Sequence, residues 1–122
     1  MKLNALILLL LTSIISCDNT EKYDKLVGKW TCSEWIVPST GTNNCSNNTV
    51  SFNFKDNKTY TYSFGSLNET GVYKISGNTL YSKPDGKLEI GVEINKLTHD
   101  SLEFIMSRSG DKEILRLIKE SN

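Results

Sequence analysis

The stretch VSFNFKDNKTYTYSF, residues 50–64, decides the fold. Apolar or aromatic side chains alternate with polar ones over residues 50–54 and again over residues 59–64. A period of two is typical of a half-buried β-strand. Between the two runs, Asp56 and Asn57 tolerate the left-handed backbone of a tight turn. The stretch therefore predicts a β-hairpin with one buried face.

Short runs of β-forming residues, separated by turn residues, continue in both directions from this hairpin. They predict eight strands, at residues 28–37, 50–54, 59–64, 70–75, 80–82, 88–94, 101–107 and 113–119. No connection is long enough for a crossover helix, so neighbouring strands should pair antiparallel. An up-and-down meander of eight strands can close into a barrel and remove its edges. The fold class is therefore all-β, with a β-sandwich as the alternative, because a sandwich shows the same alternation.

The alternation also defines an inner face. Its members are apolar or aromatic: Val50, Phe52, Phe54, Tyr60, Tyr62, Phe64, Tyr73, Ile75, Leu80, Leu88, Ile90, Val92, Ile94, Leu102, Phe104 and Met106. An eight-stranded barrel is just wide enough inside for side chains or one small ligand. These residues therefore either fill the interior or line a cavity.

Six side chains are candidates for the wall of a ligand site: Glu34, Phe52, Tyr60, Tyr62, Tyr73 and Phe104. The tyrosines combine an apolar ring with a hydroxyl tip, although plain packing in the core is the simpler role for them. In a regular strand Glu34 shares the face of Trp30 and points inward, where a carboxylate needs a partner such as Arg116. After a bulge it would instead be exposed. By the same alternation, Trp35 lies on the opposite face from Trp30 and is predicted on the outer wall.

The first sixteen residues have the pattern of an export signal. One lysine precedes an apolar run from Leu3 to Ile15. That run is shorter than the ~20 apolar residues that span a bilayer and has the proportions of a signal-peptide core. The sequence IISC, residues 14–17, resembles the lipobox of bacterial lipoproteins. The resemblance implies cleavage before Cys17 and attachment of lipid to its thiol.

This reading divides the chain into a signal peptide (1–16), a lipid-anchored polar tether (17–25) and a barrel domain (26–122). The tether is expected to be mobile, because it has too few apolar residues to pack. The lipid makes the membrane a partner, since several acyl chains on one cysteine give stable anchoring. We expect a location in the bacterial cell envelope, at the outer membrane on its periplasmic or its surface side, with the inner membrane as the alternative.

The two other cysteines, Cys32 and Cys45, form an even pair in an exported chain, which predicts a disulfide, with two free thiols or half of a metal site as the alternatives. A zinc site is not expected, because the sequence has no second cysteine pair and His99 is its one histidine. No metal or other cofactor is predicted. The 14 basic and 14 acidic residues balance without forming blocks, which argues against a nucleic-acid partner.

The motif Gly28-Lys29-Trp30 opens the first strand and resembles the Gly-x-Trp signature of lipocalins and fatty-acid-binding proteins. Together with the runs at residues 54–60, 71–75 and 97–102, the chain resembles the lipocalin-like domains of Bacteroidetes-type lipoproteins over most of its mature length. The resemblance implies that Trp30 plugs the closed end of the barrel and that Arg116, from the last strand, lies across its ring. The second lipocalin signature, a Thr-Asp-Tyr loop, is absent.

The functional prediction is a membrane-anchored lipoprotein whose barrel binds a small hydrophobic or amphiphilic ligand. The alternative is a filled barrel that acts as a scaffold or binds an envelope protein. We do not expect an enzyme. Adjacent residues in a strand or turn point apart, so His99 and Asp100 do not form a catalytic pair, and Ser101 is outside any nucleophile elbow.

Overall fold

The computed structural model describes residues 19–121, the side chain of Arg108 excepted. Within that range one helix precedes nine strands. Their bounds are α1 (Thr20–Leu26), β1 (Gly28–Val37), β2 (Thr42–Asn43), β3 (Val50–Phe54), β4 (Thr59–Phe64), β5 (Leu67–Ser76), β6 (Thr79–Pro84), β7 (Ile90–Leu97), β8 (Ser101–Arg108) and β9 (Asp111–Lys119).

The strands form a closed antiparallel barrel. From β3 to β9 each strand pairs with its neighbours in sequence, and β1 pairs with both β3 and β9. The β1–β9 ladder, from Trp30↔Lys119 to Ile36↔Ile114, closes the sheet on itself. The predicted eight-stranded up-and-down barrel is therefore confirmed, and the sandwich alternative is excluded. The additional β2 is a two-residue strand that pairs with the end of β1.

The strand directions give the barrel two different ends. The closed end carries α1 and the turns at residues 55–58, 77–78 and 98–100. The mouth end carries the loop at residues 38–49 and the turns at 65–66, 85–89 and 109–110. Five side chains near the closed end are almost completely buried: Leu26, Trp30, Phe54, Leu102 and Leu117. Because full burial of such a side chain contributes ~1.5–3 kcal/mol, much of the stability comes from this end.

The predicted mobile tether is wrong from Thr20 onward, because the chain there forms α1 and packs against the barrel. Tyr23 and Leu26, three residues apart, lie on one face of this helix. The backbone N–H of Ile75 donates a hydrogen bond to the Tyr23 hydroxyl over 2.8 Å, and Leu26 is fully buried. Tyr23 and Leu26 therefore dock this face of α1 on the barrel. The predicted signal peptide (1–16) and Cys17 lie outside the described residues.

A β-bulge in β1 corrects two sequence predictions. The β1–β9 register shifts between Cys32 and Glu34, and a one-residue shift turns all following side chains to the opposite face. Trp35 is therefore buried inside the barrel rather than exposed on its outer wall. Glu34 points outward, as expected of a carboxylate that follows a bulge, and Arg116 is its partner at 3.4 Å.

The start of β7 differs from the prediction as well. Leu88 lies in the turn before the strand and is 87% exposed, so it is not part of the inner face. Ile90, the first residue of β7, is half exposed at the mouth. Within residues 19–121, the longest helix is the seven-residue α1, which is far too short to cross a membrane.

Candidate ligand-binding cavity

The mouth half of the barrel holds a cavity of about 440 Å³ that is open to solvent. Small-molecule sites in proteins typically measure about 300–1,000 Å³. Its wall is mostly aromatic and aliphatic, with a few polar groups: Trp35, Phe52, Phe54, Tyr60, Tyr62, Glu69, Leu80, Ser82, Ile90, Gly91, Val92, Phe104, Met106, Ser107 and Leu115. The exposed residues Ile90, Gly91 and Ser107 mark where the cavity reaches solvent.

The structure places four of the six predicted wall residues on this cavity: Phe52, Tyr60, Tyr62 and Phe104. Phe52 stands at the centre of the group. Its ring centroid lies 4.7 Å from that of Tyr62 and 6.3 Å from that of Phe104. The aromatic rings therefore form one continuous surface rather than isolated contacts.

The two other predicted wall residues, Tyr73 and Glu34, are not on the cavity. Tyr73 faces inward as predicted, but it lies farther along its strand, at the closed end. Its hydroxyl donates a hydrogen bond to the Lys55 carbonyl over 2.6 Å, and its ring packs edge-on against Phe54. Glu34 lies outside the barrel because of the bulge. Tyr73 is thus a core residue, and Glu34 is a surface residue.

Trp35 is a wall residue that the sequence prediction missed. Its indole Nε1 donates a hydrogen bond to Glu113 Oε1 over 2.7 Å. Its ring meets Phe64 edge-on, with 5.8 Å between the centroids. These contacts fix the orientation of the indole. The bulge that brings Trp35 inward has no clear signal in the sequence.

A polar cluster of Tyr60, Glu69 and Ser82 interrupts the apolar wall. The Tyr60 hydroxyl lies 3.5 Å from Glu69 Oε1, and Lys87 Nζ lies 3.3 Å from Glu69 Oε2. Burial, together with the nearby Glu69 carboxylate, raises the pKa of Tyr60 to about 12. Tyr60 is therefore a neutral hydroxyl at physiological pH.

The sequence pattern predicts a fifth strand that begins at residue 70, which leaves Glu69 in the preceding turn. In the structure β5 begins at Leu67. Residues 69, 71, 73 and 75 then share the inner face, since side chains alternate along a strand. Extending the alternation backward from Tyr73 would have found Glu69.

Trp30 closes the other end of the barrel and is fully buried. Its Nε1 donates a hydrogen bond to the Leu26 carbonyl over 2.8 Å. The cation over its ring is Lys119, with Nζ 5.0 Å from the ring centroid. Lys119 also donates hydrogen bonds to the carbonyls of Lys25 and Val27, at 2.7 and 3.0 Å. Burial lowers the pKa of the Lys119 ammonium.

The predicted plug partner, Arg116, is wrong because of its position in the alternation of β9. Leu115 and Leu117 face inward, so Arg116 faces outward, where it bonds Glu103 at 2.7 Å. Lys119 stands at the next inward position and pairs with Trp30 across the ladder. Gly28 has a φ of +140°, and a Cβ at this position would lie 3.2 Å from Cε of the Lys119 side chain. The glycine of the Gly-x-Trp motif therefore leaves room for the lysine.

The predicted disulfide between Cys32 and Cys45 is confirmed. It joins β1, next to the bulge, to the loop that returns toward β3. One edge of β1 pairs with β3 up to Thr31 and with β2 from Ile36. The disulfide therefore holds the loop beside residues 32–35 of β1, which pair with neither β2 nor β3.

No group of three His, Cys, Asp or Glu side chains in residues 19–121 is arranged to hold a metal ion. His99 lies in the exposed turn between β7 and β8. In that turn the Thr98 hydroxyl donates a hydrogen bond to Asp100 over 3.0 Å. The polar side chains here stabilise the turn itself.

The structure is a closed antiparallel barrel with a buried tryptophan at one end and an apolar cavity at the other, which is the architecture of a lipocalin-like domain. The family model of the lipocalin-like domain matches residues 26–104, and the chain belongs to that family. A crystal structure of a lipocalin-like protein from Bacteroides uniformis has the same fold, with a TM-score of 0.54 and 18% sequence identity. The match covers 75% of this chain and 97% of that one. No functionally curated protein matches the sequence.

Proposed function

We propose that this protein is a lipid-anchored lipoprotein of the bacterial cell envelope whose barrel binds a small hydrophobic or amphiphilic ligand. The observation that carries the proposal is the cavity of about 440 Å³ with its largely apolar wall. A ligand that covers this wall removes apolar surface from water, which contributes ~25 cal/mol per Å². Lipocalin-like domains are in general binding folds rather than enzymes.

The packing of the rings supports this function over a filled scaffold. Trp30 and Tyr73 lie in the closed half of the barrel, away from the cavity, and each is 3% exposed or less. In the mouth half, Phe52 and Tyr62 are only partly buried and border the cavity. A scaffold that binds a partner on its outer face needs no such space, because interior voids reduce stability.

The position of α1 supports one orientation of the barrel relative to the membrane, if Cys17 carries lipid. Cys17 lies three positions before Thr20, the first residue of α1. Three extended residues span at most ~10 Å. Since α1 covers the closed end, lipid on Cys17 would turn the closed end toward the membrane and the mouth away from it. Such a barrel exchanges its ligand on the side that faces away from its own bilayer.

Native mass spectrometry of the protein purified from its own host tests the binding function. We expect a fraction of the protein to carry a small molecule that is released on unfolding. An exclusively unliganded protein that also fails to take up any apolar probe would contradict the binding function and favour the scaffold.

Metabolic labelling with palmitate tests the anchor independently. We expect label on the wild-type chain, recovered in the membrane fraction, and none on Cys17→Ala. The matched control is Cys32→Ala/Cys45→Ala, which removes both remaining cysteines and should keep the label. Wild-type protein without label would contradict the anchor and leave the cavity argument unchanged.

A further inference from the structure

We infer that the cavity selects ligands whose polar group donates hydrogen bonds to Glu69, with an ammonium preferred over a hydroxyl and a carboxylate disfavoured. The inference rests on the proposed binding function, since it specifies the chemical class of the ligand in the same cavity. The geometry that carries it is a single carboxylate, Glu69, among the mostly aromatic and aliphatic side chains that line the cavity.

Glu69 has unused capacity to accept hydrogen bonds. An ionised carboxylate offers about four acceptor positions. The Tyr60 hydroxyl, at 3.5 Å, makes a long contact with one oxygen, and Lys87 lies 3.3 Å from the other. The Glu69 side chain is 23% exposed, so it is reachable from the cavity while partly shielded from water. Partial desolvation strengthens its attraction for a donor or a cation.

The rest of the wall also favours a cation over an anion. Among the described wall residues, Glu69 carries the charge. The remaining polar groups near it are the neutral hydroxyls of Tyr60 and Ser82. The ring faces of Tyr60, Tyr62 and Phe52 attract cations through their quadrupoles. An anionic head group beside Glu69 would instead place two like charges in a weakly hydrated space, which is unfavourable.

Lys87 does not prevent a ligand from reaching Glu69. Its side chain is 66% exposed and belongs to the turn at residues 85–89, outside the wall. Exposed lysine–carboxylate pairs contribute little to stability, because water screens them and the long side chain loses freedom. A ligand ammonium that enters from the cavity can therefore take the place of the Lys87 ammonium.

The test compares three probes that share an eight-carbon chain: octylamine, octanol and octanoate. Each displaces the neutral fluorescent probe N-phenyl-naphthylamine from the purified protein at pH 7. For the wild type, we expect octylamine to displace the probe at a concentration about tenfold lower than octanoate. The ammonium of octylamine is attracted by the Glu69 carboxylate, whereas the carboxylate of octanoate is repelled by it. Octanol should fall between the two.

Two variants change this preference in opposite directions. Glu69→Gln keeps the shape of the side chain and removes its charge, and should bring the three probes within about threefold of one another. Lys87→Met removes the competing ammonium and should increase the preference for octylamine. Glu89→Gln is the matched control, because Glu89 pairs with Lys74 at 3.7 Å outside the cavity. It should leave the order of the probes unchanged.

The outcomes separate this inference from the function on which it rests. If all three probes compete equally in the wild type, or if octanoate is preferred, the selectivity for donors is wrong while the binding function stands. If the same preference for octylamine persists in Glu69→Gln, Glu69 is not its source and the inference is wrong. If neither the fluorescent probe nor any competitor binds, the binding function fails and takes the inference with it.

Discussion

Trp35 and Glu113 form a buried hydrogen-bonded pair in the mouth half of the barrel, with 2.7 Å between the indole Nε1 and the carboxylate Oε1. Glu113 is 7% exposed and Trp35 is 6% exposed. The pair joins β1, just after its bulge, to β9. It therefore fixes one wall of the cavity to the ladder that closes the barrel.

We expect Trp35→Phe to lower the free energy of unfolding by ~1–3 kcal/mol, because it removes a donor from a buried carboxylate while keeping an aromatic ring. Urea denaturation measures the loss. Phe64→Leu is a useful companion, since it removes the edge contact of the ring and leaves the hydrogen bond intact. A Trp35→Phe variant as stable as the wild type would show that Glu113 does not depend on the indole.

The identity of the plug cation gives a second prediction. Trp30→Ala should cost ~3–5 kcal/mol as a large-to-small change in the core. Lys119→Ala should cost more than Arg116→Ala, because Lys119 lies over Trp30 and bonds two backbone carbonyls. The Arg116 pairs are partly exposed, and such pairs are worth ~0–1 kcal/mol. A larger loss for Arg116→Ala in the same denaturation experiment would reverse this assignment.

These corrections show what the sequence could and could not predict. Strict alternation predicted β3 and β4 to the residue, because one face of each strand must be buried. The bulge in β1 was missed, since an extra residue in a strand depends on its neighbours in the ladder rather than on its own composition. The lipocalin resemblance implies Arg116 as the plug cation, whereas the alternation counted from Leu117 along β9 places Lys119 inside.

The wall of the cavity is likewise predictable only in part from the sequence. Phe52 and Phe104 followed from alternation alone. The depth of a residue along the barrel axis does not follow from alternation, which is why Tyr73 was assigned to the wall and lies in the core. Glu69 does not follow from the predicted strand 70–75, because β5 begins earlier, at Leu67, and strand ends are the positions where the local pattern is weakest.

The disulfide provides a third prediction. Cys32 and Cys45 are 13 residues apart, and closing a loop of about this size stabilises a protein by ~3 kcal/mol in the chain-entropy model. The Cys32→Ala/Cys45→Ala variant should lose about that much in urea denaturation. Thiol labelling of the denatured, unreduced wild type should find neither cysteine reactive. Labelling of both would contradict the disulfide.

Two buried tyrosines predict a loss of stability at high pH. Burial raises the pKa of Tyr60 and of Tyr73 to about 12, from an ordinary value near 10. A raised pKa means that the stabilisation is complete below pH ~10 and is lost as the pH rises from ~10 towards 12. Tyr60→Phe should reduce this loss, as measured by thermal unfolding between pH 9 and 12. An identical pH profile for wild type and variant would contradict the shift at Tyr60.

A pair of matched valine variants tests most directly whether the cavity binds a ligand. Val92 lies on the cavity wall, whereas Val72 is half exposed on the outer face of β5. Titration with N-phenyl-naphthylamine should show saturable one-to-one binding for the wild type and for Val72→Phe. Val92→Phe should weaken binding by about tenfold or more, since the added ring occupies the cavity. Equal binding by both variants, or no saturable binding by the wild type, would contradict ligand binding in the cavity.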